Sequence, residues 1–277
     1  MTRGEDALAA LQRRRPEWAP WLTLVEEVVR EGAGSAWDPV VRAIQPGRNG
    51  SPLLDRAAIP VPDALVSDLL ARLVRLARHG GTPKLSALDA AISTRVDATS
   101  MFSASLRQDH GYVADVAAEL GTDAEALQAV AALLAVPFLQ ACQRKWGASV
   151  PEGWVEGYCP VCASWPAFAE VRGIERTRCL RCGRCGAAWL AHTLRCPFCA
   201  TDDHDELLTL MPQKPGTNAV IEACKRCRGY LKTFTKLQGC PPSEVMLEDL
   251  ASVELDVAAL EQGYSRPMAT NLLSQGT

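Results

Sequence analysis

The residues of this chain best suited to chemistry are its cysteines, and their spacing indicates metal binding. The sequence contains 11 cysteines, of which the first is Cys142 and ten fall between Cys159 and Cys240. A gap of two residues lets both thiolates of a tight turn face one ion, and two such turns complete a tetrahedral S₄ site for zinc or iron. Eight cysteines form four such C-x-x-C pairs, Cys159/Cys162, Cys182/Cys185, Cys196/Cys199 and Cys224/Cys227.

An internal repeat indicates which pairs share an ion. The motif Cys-Pro-Val-Cys-Ala at 159–163 recurs as Cys-Pro-Phe-Cys-Ala at 196–200, and Cys-Gly-Arg-Cys at 182–185 recurs as Cys-Lys-Arg-Cys at 224–227. Two copies of one unit would then follow each other, each holding one ion. The predicted first site is Cys159, Cys162, Cys182 and Cys185, and the predicted second site is Cys196, Cys199, Cys224 and Cys227.

Cys179 complicates the first site, because Cys179 and Cys182 also form a C-x-x-C pair. The repeat favours Cys182 with Cys185, which leaves Cys179 as a redox-active thiol, an alternative ligand or simply a buried side chain. Cys142 and Cys240 have no partner at ligand spacing, so we expect both to be buried as small apolar residues.

Composition predicts a soluble globular protein whose thiols are reduced. The chain has 277 residues, is 48% hydrophobic and 22% charged, and carries a net charge of −3, which excludes an intrinsically disordered chain. Its N-terminus lacks the apolar core of a signal peptide, and the sequence contains no run of 18 apolar residues that would span a membrane. We therefore expect a cytoplasmic protein, in which clustered cysteines bind metal or do redox chemistry rather than form disulfides.

The elements that must position these cysteines follow from the residue pattern, which divides the chain into a helical part and a cysteine-rich part. Residues 1–150 have helical patterning, most clearly over 62–79, where leucines recur on one face. We also expect helices near 17–31, 84–97 and 110–120, a helix that begins at Thr122-Asp123 with Glu125 in capping-box position, and a loop over 46–62.

The rest of the sequence predicts small β units, so we expect the whole chain to be α+β, with this helical domain at its N-terminus. Residues 151–195 and 196–240 would form two tandem rubredoxin-like or zinc-ribbon units, and residues 241–277 a C-terminal helix and tail. Such small β units bury little apolar surface, so a bound ion would supply much of their stability. A purely structural role for the metals is therefore a serious alternative to a functional one.

The sequence gives no sign of catalysis and only weak signs of nucleic-acid binding. It contains no Walker A motif, no G-x-S-x-G and no dinucleotide-binding G-x-G-x-x-G. Region 142–240 carries 14 basic and 9 acidic residues, a formal +5. Four thiolates around each Zn²⁺ would lower that to about +1. Five arginines lie around the predicted first site, Arg176, Arg178, Arg181, Arg184 and Arg195.

The cysteine motifs resemble those of the FdhE family of formate dehydrogenase accessory proteins. The resemblance covers about residues 155–265, and the helical half offers no comparable motif. It rests on Tyr-Cys-Pro-Val-Cys-Ala-Ser-Trp-Pro at 158–166, Arg-Cys-Gly-Arg-Cys-Gly-Ala-Ala-Trp at 181–189, Arg-Cys-Pro-Phe-Cys at 195–199, Cys-Lys-Arg-Cys-Arg-Gly-Tyr-Leu-Lys at 224–232, Asp-Leu-Ala-Ser-Val-Glu-Leu-Asp at 249–256 and Glu-Gln-Gly-Tyr at 261–264.

The resemblance implies a cytoplasmic maturation factor, or chaperone, that is not an enzyme. Its partner would be the catalytic subunit of a respiratory formate dehydrogenase, bound before export, with no nucleic acid or membrane involved. The eight paired cysteines would hold two iron ions in rubredoxin-like sites, with zinc as the alternative, and no catalytic residue is implied. Cys179 departs from the family pattern, and the oligomeric state stays open.

Three other classes compete with this interpretation. An enzyme with an open metal site would need a site with only three protein ligands, whereas this sequence offers four for each. A zinc-ribbon protein that binds nucleic acid would show a steep salt dependence of binding, because phosphate contacts release counterions. A rubredoxin-like electron carrier would be reduced reversibly without a stable client complex, and it would leave the large helical half unexplained.

Overall fold

The computed structural model describes residues 3–47, 50–80, 82–88, 92–150, 153–211, 218–267 and 273. The chain divides into two compact units. The helical unit contains Met1–Gln45, Ala57–Cys142 and Gln275–Thr277, and the cysteine unit contains Pro46–Arg56 and Gln143–Ser274. A short segment from within the predicted helical domain therefore belongs to the cysteine unit.

The described part of the N-terminal half is built from helices. Trp37 lies at the centre of the core of the helical unit, where it stacks on Phe102 at 5.7 Å between ring centroids and packs against Phe138 at 6.0 Å. The described helices are α1 Arg3–Arg14, α2 Ala19–Ala33, α3 Asp38–Ala43, α4 Asp63–Gly80, α5 Pro83–Ser86, α6 Ile92–Arg95, α7 Ala98–Arg107, α8 His110–Leu120, α9 Ala124–Leu134 and α10 Val136–Trp146.

Most of the predicted helices are confirmed, with two corrections. The predicted helix over 84–97 is wrong as one element, because the structure has the short helices α5 and α6 there. Serine and β-branched residues are frequent in this stretch and have low helix propensity. Helix α9 is capped by Asp123 rather than Thr122, since the Asp123 carboxylate accepts the Ala126 N–H at 2.9 Å.

Helices α9 and α10 are divided at Ala135, two residues before Pro137. Pro137 lacks an N–H, and it is tolerated because it lies in the first turn of α10. The Ala135 N–H donates to Ser105 Oγ at 3.1 Å. Together the two helices span Ala124–Trp146, which by length and composition could cross a membrane, but 78% of its apolar window is buried within the protein.

The cysteine unit contains one six-stranded sheet. Its strands are β1 Phe168–Arg172, β2 Thr177–Arg181, β3 Ala188–Leu190, β4 Leu207–Leu210, β5 Ala219–Cys224 and β6 Tyr230–Lys236. They lie in the order β3-β2-β1-β6-β5-β4, and all neighbours are antiparallel except β1 and β6, which are parallel. The α+β class and the tandem cysteine units are confirmed, and the β1–β6 pairing joins the two units edge to edge.

The C-terminal segment forms two helices rather than the single helix predicted. Helix α11 covers Val245–Ala251 and α12 covers Val253–Glu261. The break lies at Ser252, whose hydroxyl donates to the Glu248 carbonyl at 3.0 Å and competes with regular helical bonding. Apolar residues from both helices, including Val245 and Leu255, pack on the sheet beside Phe168 and Phe234.

Candidate metal centres

Each C-x-x-C pair lies on a tight turn with the same hydrogen bond, and we call this turn a knuckle. The N–H of the first cysteine donates to the carbonyl five residues later. The four bonds are Cys159 to Ser164 at 2.9 Å, Cys182 to Ala187 at 3.0 Å, Cys196 to Thr201 at 2.8 Å and Cys224 to Gly229 at 2.9 Å.

The knuckles also share a left-handed residue four positions after the first cysteine. These residues are Ala163 at φ 57°, Gly186 at 80°, Ala200 at 59° and Arg228 at 59°. A positive φ is unusual for residues other than glycine, so its recurrence marks one backbone motif used four times. The third cysteine of the first site is therefore Cys182, because the knuckle begins there and not at Cys179.

The structure brings together the predicted cysteines of the first site. The four Sγ atoms all lie within 4.8 Å of one another. Cys159 Sγ lies 3.5 Å from Cys185 Sγ, and Cys162 Sγ lies 3.5 Å from Cys182 Sγ. Each knuckle thus contributes one sulfur to each close pair, as two turns around a single ion require.

The predicted cysteines of the second site are brought together in the same way, with all four Sγ atoms within 4.8 Å. Cys196 Sγ lies 3.7 Å from Cys227 Sγ, and Cys199 Sγ lies 3.7 Å from Cys224 Sγ. A tetrahedral ion with metal–sulfur bonds of about 2.3 Å separates its sulfurs by about 3.8 Å, whereas a disulfide requires about 2.05 Å. Both sets therefore fit a metal ion, and four thiolates suit zinc and iron alike.

The two sites differ in solvent exposure. In the first site all four cysteines are buried, none more than 2% exposed. In the second site Cys196 and Cys224 are buried, whereas Cys199 is half-buried and Cys227 is exposed. A chelator or oxidant in solution can therefore approach the second site through Cys227.

The surroundings of the thiols oppose ionisation unless a cation is bound. Burial raises the pKa of Cys159 and of Cys185 well above that of an ordinary thiol. Burial also raises the pKa of Cys227 to about 11. In the first site, hydrogen bonds from the neighbouring thiols, first of all Cys159, hold the pKa of Cys162 low. A bound cation is what would allow all four sulfurs of a site to be thiolates together.

The other cysteines lie outside the two clusters. Cys179 is buried on β2, opposite Glu170 of β1 and Leu190 of β3. Cys142 and Cys240 are buried as predicted, and burial raises the pKa of Cys240 to about 11. In the described part of the chain, Cys179 belongs to neither group of converging sulfurs.

Main-chain contacts from a distant segment support the first site. Leu53 N–H donates to the Pro160 carbonyl at 2.7 Å, and Leu54 N–H donates to the Val161 carbonyl at 3.1 Å. Pro160 and Val161 are the two residues between the first pair of cysteines. Leu53 and Leu54 therefore form an added wall on the first knuckle, which explains why the segment that contains them belongs to the cysteine unit.

The C-terminal residues support the second site. The Arg228 guanidinium lies over the Tyr264 ring at 4.1 Å and donates to the Gln262 and Gly263 carbonyls at 3.0 and 2.9 Å. Ser265 N–H donates back to the Arg228 carbonyl at 2.9 Å. The segment that follows α12 thus holds the knuckle that carries exposed Cys227.

Two of the arginines named from the sequence are buried in the sheet, which the sequence did not predict. Arg181 is 1% exposed and its Nη1 lies 2.9 Å from the Glu170 carboxylate. Burial opposes ionisation of Glu170, but the Arg181 guanidinium holds its pKa below the usual range. Arg178 is also buried, with an ion pair to Glu222. Two of the five arginines around the first site are therefore internal partners, not an open basic surface.

A second buried charge cluster holds the C-terminal helices to the sheet. Lys232 of β6 is fully buried and its Nζ lies 2.7 Å from Asp249 and 2.9 Å from Asp256. Arg266 pairs with the same two carboxylates at 2.6 and 2.7 Å. Burial opposes ionisation of Asp249, but Arg266 and then Lys232 hold its pKa low. The sequence offered one sign of this cluster, the two acids Asp249 and Asp256, which lie seven residues apart in the 249–256 motif.

Comparison with known proteins bears on the same region. Residues 194–273 match the family model described as FdhE, C-terminal domain. A protein FdhE homolog from Pseudomonas aeruginosa is 33% identical over 156 residues, which cover 51% of this chain and 50% of the relative. One from Aquifex aeolicus is 34% identical over 117 residues, 41% of this chain and 40% of the relative. The matched region therefore spans half or less of these curated relatives.

A solved structure was also found, the crystal structure of the FdhE protein from Pseudomonas aeruginosa. It matches with a TM-score of 0.48 and 22% identity, over 98% of this chain and 95% of that one. The family model and the curated relatives confirm the resemblance to the FdhE family that the cysteine motifs and the 249–264 tail indicated.

Proposed function

We propose that the protein is a cytoplasmic accessory factor that binds the catalytic subunit of a respiratory formate dehydrogenase and assists its maturation before export. The observation that carries this proposal is the second four-cysteine site, which lies within the region that matches the FdhE C-terminal domain. Its exposed Cys227 and its C-terminal support give the site a surface that a client protein can reach.

The donor sets support a binding role rather than catalysis. Each site offers four cysteine sulfurs, which complete a tetrahedral shell and leave no position for a substrate. Catalytic zinc sites, in contrast, keep one position open for water or substrate. We therefore propose that the protein acts through docking and through its metal sites, and that it is not an enzyme.

We further propose iron in both sites. Iron in a tetrathiolate site supplies one-electron redox chemistry, which zinc lacks. The residues of this chain would hold the ion, exclude water from the first site through complete burial, and present the second site near the surface. A docked client could then have the redox state of its active site checked or adjusted.

The test of client binding is an anoxic pull-down of the tagged protein from its native host, grown with formate dehydrogenase induced and read by mass spectrometry. We expect recovery of the catalytic subunit that still carries its export signal. A Cys182→Ser variant, whose cysteine unit we expect to unfold, serves as the negative control and should recover much less. Enrichment of RNA polymerase or ribosomal components without the subunit would favour a zinc-ribbon protein that binds nucleic acid.

The test of the metal is reconstitution of the purified protein with iron or with zinc. Rubredoxin-like iron would give visible thiolate-to-iron absorption that is lost on reduction, and the zinc form would be colourless. If the zinc form bound the client equally well and restored full formate dehydrogenase activity, the redox part of the proposal would be wrong, although the docking part would stand.

A further inference from the structure

Strand β4 forms one edge of the sheet and has neither a charged residue nor a proline to protect it. Its sequence, Leu207–Leu210, is uncharged and contains no proline, and the adjoining Met211 is 70% exposed. Natural proteins block sheet edges with lysine, proline, bulges or a covering segment, because an open edge pairs with other chains. In the described part of the chain, β4 pairs with β5 alone.

The hydrogen-bonding groups that β4 leaves unpaired can be assigned from its register. Thr209 lies opposite Glu222 of β5, and by the same register Glu206 lies opposite Lys225. Lys225 N–H donates to the Glu206 carbonyl at 2.8 Å, so these two form a bonded pair. Bonded and non-bonded pairs alternate in an antiparallel ladder. The C=O of Leu207 and both the N–H and the C=O of Thr209 therefore point away from β5 and toward solvent, whereas the Leu207 N–H donates to the His204 carbonyl.

A cavity of about 230 Å³ opens beside this edge. Its walls are mainly apolar, and Leu194 at its margin is 68% exposed. The cavity also touches Cys196 and Cys224, so a side chain within it would lie against the second metal site. Leu194, Phe198, Leu207 and Leu231 line it together with these two cysteines.

The turn that leads into β4 is acidic, and among the described residues no lysine or arginine pairs with its carboxylates. Asp202, Asp203 and Asp205 are exposed and Glu206 is half-buried. Within the same described residues, the one ion pair of this turn joins Asp205 to the neighbouring His204 at 3.7 Å. Lys225 Nζ contacts the Asp205 backbone carbonyl at 2.7 Å rather than a carboxylate. Charge complementarity therefore favours an occupant that carries basic residues next to its apolar ones.

We propose that β4 accepts an extended segment of the client polypeptide as an added strand. Main-chain bonds to Leu207 and Thr209 would align the segment, alternate apolar side chains would enter the cavity, and a basic residue at one end would meet the acidic turn. This proposal rests on the proposed function, because the client is the formate dehydrogenase catalytic subunit. It identifies the surface where docking occurs and the chemistry of the segment recognised.

The experiment compares Thr209→Pro with Thr209→Ala in the full-length, metal-loaded protein. Proline removes the outward N–H and is tolerated at an edge position that does not pair with the neighbouring strand. Alanine removes the side chain and keeps the N–H. Binding of the purified catalytic subunit from the same host is measured anoxically by calorimetry. We expect Thr209→Ala to bind like the unmodified chain and Thr209→Pro to bind at least tenfold more weakly.

A second variant tests the cavity without touching the strand. Leu194→Ser shortens an exposed apolar side chain, so the fold should tolerate it, and we expect a loss of binding of about threefold to tenfold. Metal content and circular dichroism of each variant verify that the cysteine unit is intact.

The outcomes separate this proposal from the one on which it rests. If the unmodified chain fails to bind the catalytic subunit, the proposed function is wrong. If it binds and both Thr209→Pro and Leu194→Ser bind equally well, the function stands and the docking edge is overturned. If the unmodified chain is a dimer that Thr209→Pro converts to a monomer, a second copy occupies the edge, and the proposal is likewise overturned.

Discussion

The two cysteine sites use the same backbone motif and the same four donors, yet they stand in different surroundings. The first is wholly buried and has a main-chain wall from Leu53 and Leu54 on its first knuckle. The second has one exposed ligand, Cys227, and is held by Arg228 and Tyr264 from the C-terminal side. The four donors suit a metal ion in both sites, and the surroundings set how closely solvent can approach it.

This difference in exposure predicts different roles for the two repeated cysteine units. A buried ion stabilises the sheet and exchanges slowly, because chelators and oxidants cannot reach its sulfurs. An accessible ion can respond to a docked protein, and the cavity that touches Cys196 and Cys224 lies beside the edge strand proposed for docking. Single substitutions should distinguish the two sites by their effects on folding and on metal content.

Loss of a ligand in the first site should unfold the cysteine unit. Cys182→Ser leaves three ligands in a fully buried site. Structural zinc sites contribute about 10–16 kcal/mol of apparent binding energy in finger peptides, which compares with about 5–15 kcal/mol for the whole stability of a typical domain. Hydrogen exchange should show lost protection across β1–β6, and elemental analysis should show fewer than two ions per chain. Native protection in the variant would mean that the first ion is dispensable.

Loss of a ligand in the second site should cost an ion and leave the sheet folded. Cys227→Ser changes an exposed residue, and the core around Phe168 and Phe234 does not depend on it. We expect one ion per chain, with native-like exchange protection in β1 and β2. The comparison between the sites would break down if this variant unfolded as completely as Cys182→Ser.

Weakening the C-terminal support should speed release of the second ion alone. Arg228→Met removes the contacts to Gln262, Gly263 and the Tyr264 ring, and we expect that ion to reach a chelator about tenfold faster. Arg226→Met is the matched control. Arg226 is exposed on the same knuckle, where no hydrogen bond or ion pair of its side chain is seen among the described residues. Equal rates in the two variants would show that the support does not hold the site.

Replacing Cys179 should have the smallest effect. Cys179→Ser leaves both groups of converging sulfurs complete, so two ions should remain, with a stability loss of about 1 kcal/mol from placing a hydroxyl at a buried position. Thermal unfolding and elemental analysis measure both quantities. Loss of one ion in this variant would instead make Cys179 a ligand, in place of Cys182 or Cys185.

The cysteine pairing could be predicted from the sequence because it is local and repeated. Each knuckle is set by five or six consecutive residues, and the motif at 159–163 recurs almost unchanged at 196–200. The helices over 63–80 and 110–120 were predictable for the same reason, since each has its own capping and periodicity. The resemblance to the FdhE family rests on the same local motifs.

What escaped prediction depends on contacts between distant residues. The parallel pairing of β1 with β6 joins segments about 60 residues apart, and no local pattern specifies it. Arg181 and Lys232 are buried although such residues are usually exposed, because Glu170, Asp249 and Asp256 compensate their charges. The sequence predicts only a loop over 46–62. The contact of Leu53 and Leu54 with the first knuckle consists of main-chain hydrogen bonds, which any sequence can form.

The most direct test of the two-site account is native mass spectrometry of the anoxically purified chain during a chelator challenge. The account predicts two ions per chain at the start, a single-ion species that accumulates while the protein stays compact, and unfolding only when the last ion leaves. Limited proteolysis should show that the single-ion species keeps β1–β3 protected. Loss of both ions in one step, or a compact chain without ions, would contradict the assignment of a buried structural site and an accessible second site.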